Sequence, residues 1–118
     1  MASSILYRHL KDGSEQPLLD NLSVANSFFK RMKGLLGIST LDGSSGIVIT
    51  PCNLIHTFGM KFNIDVIFLD KDNRIINIRT NVPKSRVHGQ IKAKHTMELT
   101  AGSVERLDLT AGDQLMWR

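Results

Sequence analysis

Ile64-Asp-Val-Ile-Phe-Leu69 is a nearly unbroken apolar run holding one acid, and Asp70-Lys-Asp-Asn73 closes it. A strand with one face in water alternates apolar and polar residues, whereas a continuous run is expected where both faces are covered. The chain must therefore build at least one strand with protein on each side. The polar quartet reads as a turn with Asn73 at positive φ, and Arg74 to Val82 as the returning arm of a hairpin. Residues 64–69 are thus expected to be central and paired with 74–80.

The remaining elements are short. Ile5 to Leu10 reads as a strand ended by Asp12-Gly13, and Pro17 to Ala25 as a second strand. Asn26 and Ser27 are N-cap candidates for a helix over 27–36, with Phe28, Met32 and Leu35, or Phe29, Met32 and Leu36, on one face and Gly37 as its left-handed end. Gly46 to Thr50, Lys94 to Leu99 and Gln114 to Trp117 read as further strands, Pro83 to Ala93 as a polar loop, and Val104 to Leu107 as a helical turn. About seven or eight short strands with one short helix predict a mainly β, compact single-domain barrel or sandwich at the margin of α+β. The globular domain is expected over 5–118, with 1–4 as a flexible N-terminus.

A chain of 118 residues suits one domain, and 42% hydrophobic with 22% charged residues excludes disordered and collagen-like classes. The first residues lack the apolar core of a signal peptide, and nowhere do about 18 apolar residues run together, so the expected location is cytoplasmic with no membrane partner. The single cysteine is compatible with a reducing compartment. Net charge is +4, yet Asn73 to Met97 carries six bases and no acid (Arg74, Arg79, Lys84, Arg86, Lys92, Lys94). Such a stretch can steer polyanions, but it lacks aromatic platforms for base stacking, so a mobile solvated loop is expected over 83–94 and nucleic acid is not expected as a partner.

Residues 51 to 70 concentrate the reactive side chains. Cys52, His56 and Met60 offer the thiolate, imidazole and thioether that a soft ion prefers. In an extended chain each four-residue step covers about 13 Å, which separates the three, and only a bend at Asn53 or Gly59 would gather them. Cys52 with His56, oriented by Asp65, could form a nucleophile and base, but nothing supplies an oxyanion hole and no reaction is specified. Asp65 sits in the apolar run, and Glu98, between Met97 and Leu99, poses the same problem, because a buried carboxylate needs a partner. Arg31 on the helix is the expected cation for one of them.

Taken in order, Arg31-Met-Lys-Gly-Leu-Leu-Gly37, Gly46-Ile-Val-Ile49, the whole of Pro51 to Asp70, Met97-Glu-Leu-Thr-Ala-Gly102 and Ala111-Gly-Asp113 resemble the domain of unknown function 192 family, also called uncharacterised protein family 0127. The resemblance spans about residues 17 to 117. It implies a compact, mainly β domain of microbial origin and carries no established activity. The family's hallmark, an aromatic-containing segment ending in Met before an apolar strand with one acid, falls on Thr57 to Met60 and Asp65. Many relatives resemble exported or membrane-tethered proteins, whereas this chain shows no leader.

The expected function is a non-catalytic binding or accessory module, monomeric and without a cofactor, for a small ligand or protein partner. Its pocket is expected around residues 56–65, with Arg31, His56, Thr57, Met60 and Asp65 as ligand-binding residues and no catalytic or metal-binding set. The alternatives are a small enzyme using Cys52, His56 and Asp65, a soft-metal protein, and a polyanion binder through residues 74–94.

Overall fold

Turn residues punctuate the chain where the strands end. The computed structural model describes residues 3–118, the side chain of Phe28 excepted. Among the described residues the elements run β1 (Ser3–His9), β2 (Glu15–Ala25), α1 (Phe28–Lys33), β3 (Ser45–Ile49), β4 (Leu54–His56), β5 (Ile64–Leu69), β6 (Ile75–Val82), β7 (Val87–Gly89), β8 (His95–Thr100), α2 (Ser103–Arg106) and β9 (Gln114–Trp117). The fold is mainly β, as expected, with nine strands and a second short helix. β1 begins at Ser3, two residues before the expected domain start. Residues 1 and 2 of the expected flexible terminus lie outside the described residues.

Seven strands form one sheet in the order β6-β5-β8-β3-β2-β1-β9, and β4 pairs with β7 in a separate ribbon. β2 and β3 run parallel, while the other neighbours are antiparallel. β5 is central between β6 and β8, all six of its residues are buried, and the 70–73 turn carries Asn73 at φ 63°. The sheet curls until its two outer strands touch through an Arg74–Gln114 bridge, but no ladder joins them and the barrel stays open. At the same edge β1 pairs with β9, and Ile5 and Arg118 exchange backbone hydrogen bonds.

Each face of the sheet carries its own core. One holds Leu6, Leu22, Val48, Ile67, Leu69, Met97, Leu99 and Leu115; the other holds Leu35, Ile47, Ile49, Ile55, Met60, Ile64, Val66 and Phe68. β3 and β5 contribute alternate residues to both, which is why the β5 sequence reads as continuous.

Three local expectations need correction. Residues 83–94 are mostly exposed, with His88, Gln90 and Ala93 half-buried, but they include β7, which pairs Val87 with His56 and Gly89 with Leu54. A three-residue strand paired across some thirty residues of sequence leaves no periodicity to read. The helix ends at Gly34, not Gly37: Gly34 takes φ 49° and donates its N–H to Lys30 O. Its expected apolar face is not buried either: among the described side chains Met32 is 62% exposed, and Leu35, which is enclosed, lies beyond the helix. The helix spans a cavity instead of sealing it, so its apolar stripe becomes a rim.

Gly46 of β3 faces Leu99 of β8. A Cβ there would strike the Leu99 side chain and come within 3.1 Å of Glu98 O. Gly46→Ala is expected to lower stability by about 1 to 3 kcal/mol through overpacking. An unchanged urea midpoint would show that the strand yields without strain.

Candidate functional site

The chain bends sharply after β4. Thr57, 1% exposed, receives Arg86 N–H on its hydroxyl at 2.8 Å and donates that hydroxyl to Pro83 O at 2.7 Å, while its own N–H bonds Arg86 O at 2.8 Å. Gly59 then takes φ 83°, with Leu36 packed against it. This clamp returns Met60 towards the sheet. Cys52, His56 and Met60 consequently line one cavity, although extended spacing separates them in sequence.

The cavity, about 270 Å³, lies between α1, the β3–β4 segment and β8. Its buried floor comprises Gly34, Leu35, Ile49, Ile55, Met60 and Glu98; its exposed rim includes Met32, Lys33, Leu54 and His56. Cys52 is half-buried and its thiol donates to Leu54 O at 3.2 Å. Among the described residues no group of three or more His, Cys, Asp and Glu side chains is placed to hold a metal ion.

Glu98 dominates the chemistry. It is 3% exposed, and its cross-strand neighbours Ile47 and Val66 turn it into the core beneath α1. Among the described residues no side chain or backbone group hydrogen-bonds or ion-pairs with its carboxyl. Burial pushes its pKa up to about 7, because the apolar surroundings penalise the charged form. Gly34 lies over the carboxyl, where a Cβ would make ordinary van der Waals contact with Glu98 Oε1 at 3.4 Å.

The expected Arg31 pair with Asp65 or Glu98 is absent. Arg31 lines the cavity, but its Nη1 donates to Pro51 O at 3.1 Å and its buried Nε has no partner. Asp65 needs no cation. Its Oδ1 receives Asn81 N–H at 2.9 Å, and Oδ2 receives Gly102 N–H at 3.2 Å and Val104 N–H at 2.9 Å, so it caps α2 from a neighbouring strand. Gly102 at the N-cap has no side chain to serve that purpose.

Of the residues expected to bind ligand, the structure thus brings Arg31, His56 and Met60 to one cavity. Thr57 holds the adjoining bend, and Asp65 lies elsewhere. Cys52 and His56 share the cavity while Asp65 stands on the opposite sheet face, opposite Leu99. Glu98, absent from the expected set, occupies the floor. Its signal was the acid set between Met97 and Leu99, an apolar context in which a carboxyl needs a partner.

No helix among the described residues is long and apolar enough to cross a membrane. Among solved structures, one from Sinorhizobium meliloti 1021, described as a candidate transcription regulator, superposes with a TM-score of 0.85 at 20% identity, covering 98% of this chain and 94% of that one. A Novosphingobium aromaticivorans protein of unknown function gives 0.81 at 19% identity, over 96% and 84%. Likenesses at this identity show a shared fold. Among curated proteins, the UPF0127 protein of Thermococcus sibiricus is 29% identical over 81% of this chain, and the match takes in 65% of that protein's length. The UPF0127 protein of Pyrococcus horikoshii is 30% identical over 80% of this chain and 84% of its own. Residues 9–117 match the family described as DUF192, Uncharacterized ACR, COG1430, and the chain belongs to that family.

Proposed function

We propose that this chain is a single-domain, non-catalytic binding module whose ligand enters the cavity beneath α1, touching Arg31, His56, Met60 and Glu98. The observation that carries this reading is Glu98: a buried carboxyl facing open space, with no donor among the described residues. Buried polar groups are ordinarily hydrogen-bonded, and an unpartnered one at the floor of an apolar cavity is best accounted for by a ligand that brings its own partner. The exposed apolar rim at Met32 and Leu54 supports the same reading, since the edge of a site must stay open to solvent.

The other readings gain less support. A nucleophile, base and orienting acid need all three side chains in one place, and Asp65 stands apart with three backbone donors. A nucleic-acid role, as the description of the Sinorhizobium structure would suggest, asks for free bases with aromatic platforms on one face. Here Arg74 bonds Gly112 O, Arg79 bonds Asn77 Oδ1 and Arg86 bonds Lys84 O, and the exposed Lys84, Lys92 and Lys94 stand in a stretch without an aromatic residue for stacking. A cytoplasmic setting belongs to the proposal, as the free half-buried Cys52 suits a reducing compartment.

Hexanol tests the cavity itself, because it needs only apolar walls. Titration is expected to give saturable shifts in the methyl resonances of Ile49, Ile55 and Met60, with little change at Leu6 or Leu115 in the opposite core. Linear, unsaturated drift spread over both cores would overturn the reading.

A further inference from the structure

The cavity is polar in a directed way. At the floor stands one acid, Glu98, enclosed by Leu35, Ile49, Ile55 and Met60. The bases among its lining residues, Arg31 and Lys33, belong to the last turn of α1, and Lys33 is exposed. Arg31 is turned to the Pro51 carbonyl and makes no ion pair with Glu98. The order from inside to outside is therefore acid, apolar wall, base.

We infer that the cavity takes a small amino acid with an apolar spacer, its ammonium group inward on Glu98 and its carboxylate outward beside Arg31 and Lys33. This rests on the cavity being a binding site. A buried carboxylate without a cation is the environment that an ammonium ion relieves most, because each supplies the charge and hydrogen bonds the other lost on leaving water. A ligand carboxylate on the floor would instead set two acids together with no guanidinium between them. A simple amine would satisfy Glu98, but it would meet two bases at the rim with nothing to offer them. The walls provide few donors of their own, since the Cys52 thiol is engaged with Leu54 O. Selection among ligands thus falls to the two ends, and the spacer is chosen by fit to about 270 Å³.

The experiment uses four probes of one chain length, 6-aminohexanoate, hexylamine, hexanol and hexanoate, titrated calorimetrically at pH 8, where Glu98 is ionised. 6-Aminohexanoate is expected to bind about tenfold or more tighter than each of the others, as charge-assisted bonds are about twice as strong as neutral ones. Glu98→Gln should abolish that margin while leaving the affinity for hexanol within about twofold, which also shows that the variant is folded and the cavity intact. Hexylamine, hexanol or hexanoate binding as tightly as 6-aminohexanoate overturns the inference, as does an unchanged margin in Glu98→Gln. If hexanol binds and 6-aminohexanoate does not, the amino-acid inference falls and the cavity reading stands. If none of the four binds, both fall.

Discussion

Asp65→Ala is expected to destabilise the protein by about 3 to 5 kcal/mol, since three part-buried hydrogen bonds to a charged acceptor are lost, each worth about 1.5 to 3 kcal/mol, less what water returns to the exposed Asn81 and Gly102. Asp65 itself is 0% exposed, but its donors Asn81 and Gly102 are exposed and line the cavity beside it, so water recovers part of the loss. The damage should begin at α2, which is four residues long and has no cap of its own. Amide exchange ought to accelerate first at Asn81, Gly102 and Val104, the three donors, and urea unfolding should report the total. Asp65→Asn retains one acceptor oxygen and should fall between the two. A loss under about 1 kcal/mol for the alanine variant would mean that α2 relaxes to solvent and finds other acceptors.

The second large effect is a pH dependence with Glu98 as its source. An ordinary glutamate titrates at 4.5, and burial moves this one to about 7. Below 4.5 both folded and unfolded chains hold the proton, and this group adds no slope. Between 4.5 and about 7 the unfolded chain releases a proton that the folded chain keeps, so stability falls as pH rises; above that it levels off. The integrated loss is about 3 kcal/mol, at 1.36 kcal/mol per unit. His95 works in the opposite sense, for desolvation, with Lys94 adding to it, lowers its pKa and makes the folded form reluctant to take up a proton. The cavity also presents Arg31, Lys33, His56 and Cys52 to Glu98. The Glu98 contribution is therefore read as the difference between the native protein and Glu98→Gln, whose stability should exceed the native value at pH 8 and match it near pH 4. Parallel pH profiles for the two proteins would show that water entering the cavity already solvates the acid.

These two acids mark the limit of what residue order conveys. Both interrupt apolar strands, and on sequence they pose one problem with one answer, a partner on the helix. The registers separate them. Asp65 lies opposite Leu99 and faces the core shared with α2, where backbone N–H groups converge; Glu98 lies opposite Ile47 and Val66 and faces the cavity. A shift of one residue exchanges these fates, and no local pattern specifies that register. The β5–β6 hairpin was legible because its signals are adjacent, a buried run followed by Asp-Lys-Asp-Asn. The cavity was legible only in part, because residues 31–36, 49–60 and 98 meet through β4 and β7, and through a Thr57 clamp to residues 83 and 86. Such long-range contacts depend on topology more than on propensity.

The pairing of β1 with β9 brings the first and last described strands side by side, with Ile5 and Arg118 bonded through their backbones. A fold whose ends meet has no obligatory starting point. A few residues of linker could join them and new ends be cut in the exposed stretch near Ser39 and Thr40, leaving every strand of the large sheet and the Thr57 clamp whole. By the same geometry this domain can be carried as an insertion in a surface loop of a host protein, entering and leaving at one edge while the cavity under α1 keeps its own walls.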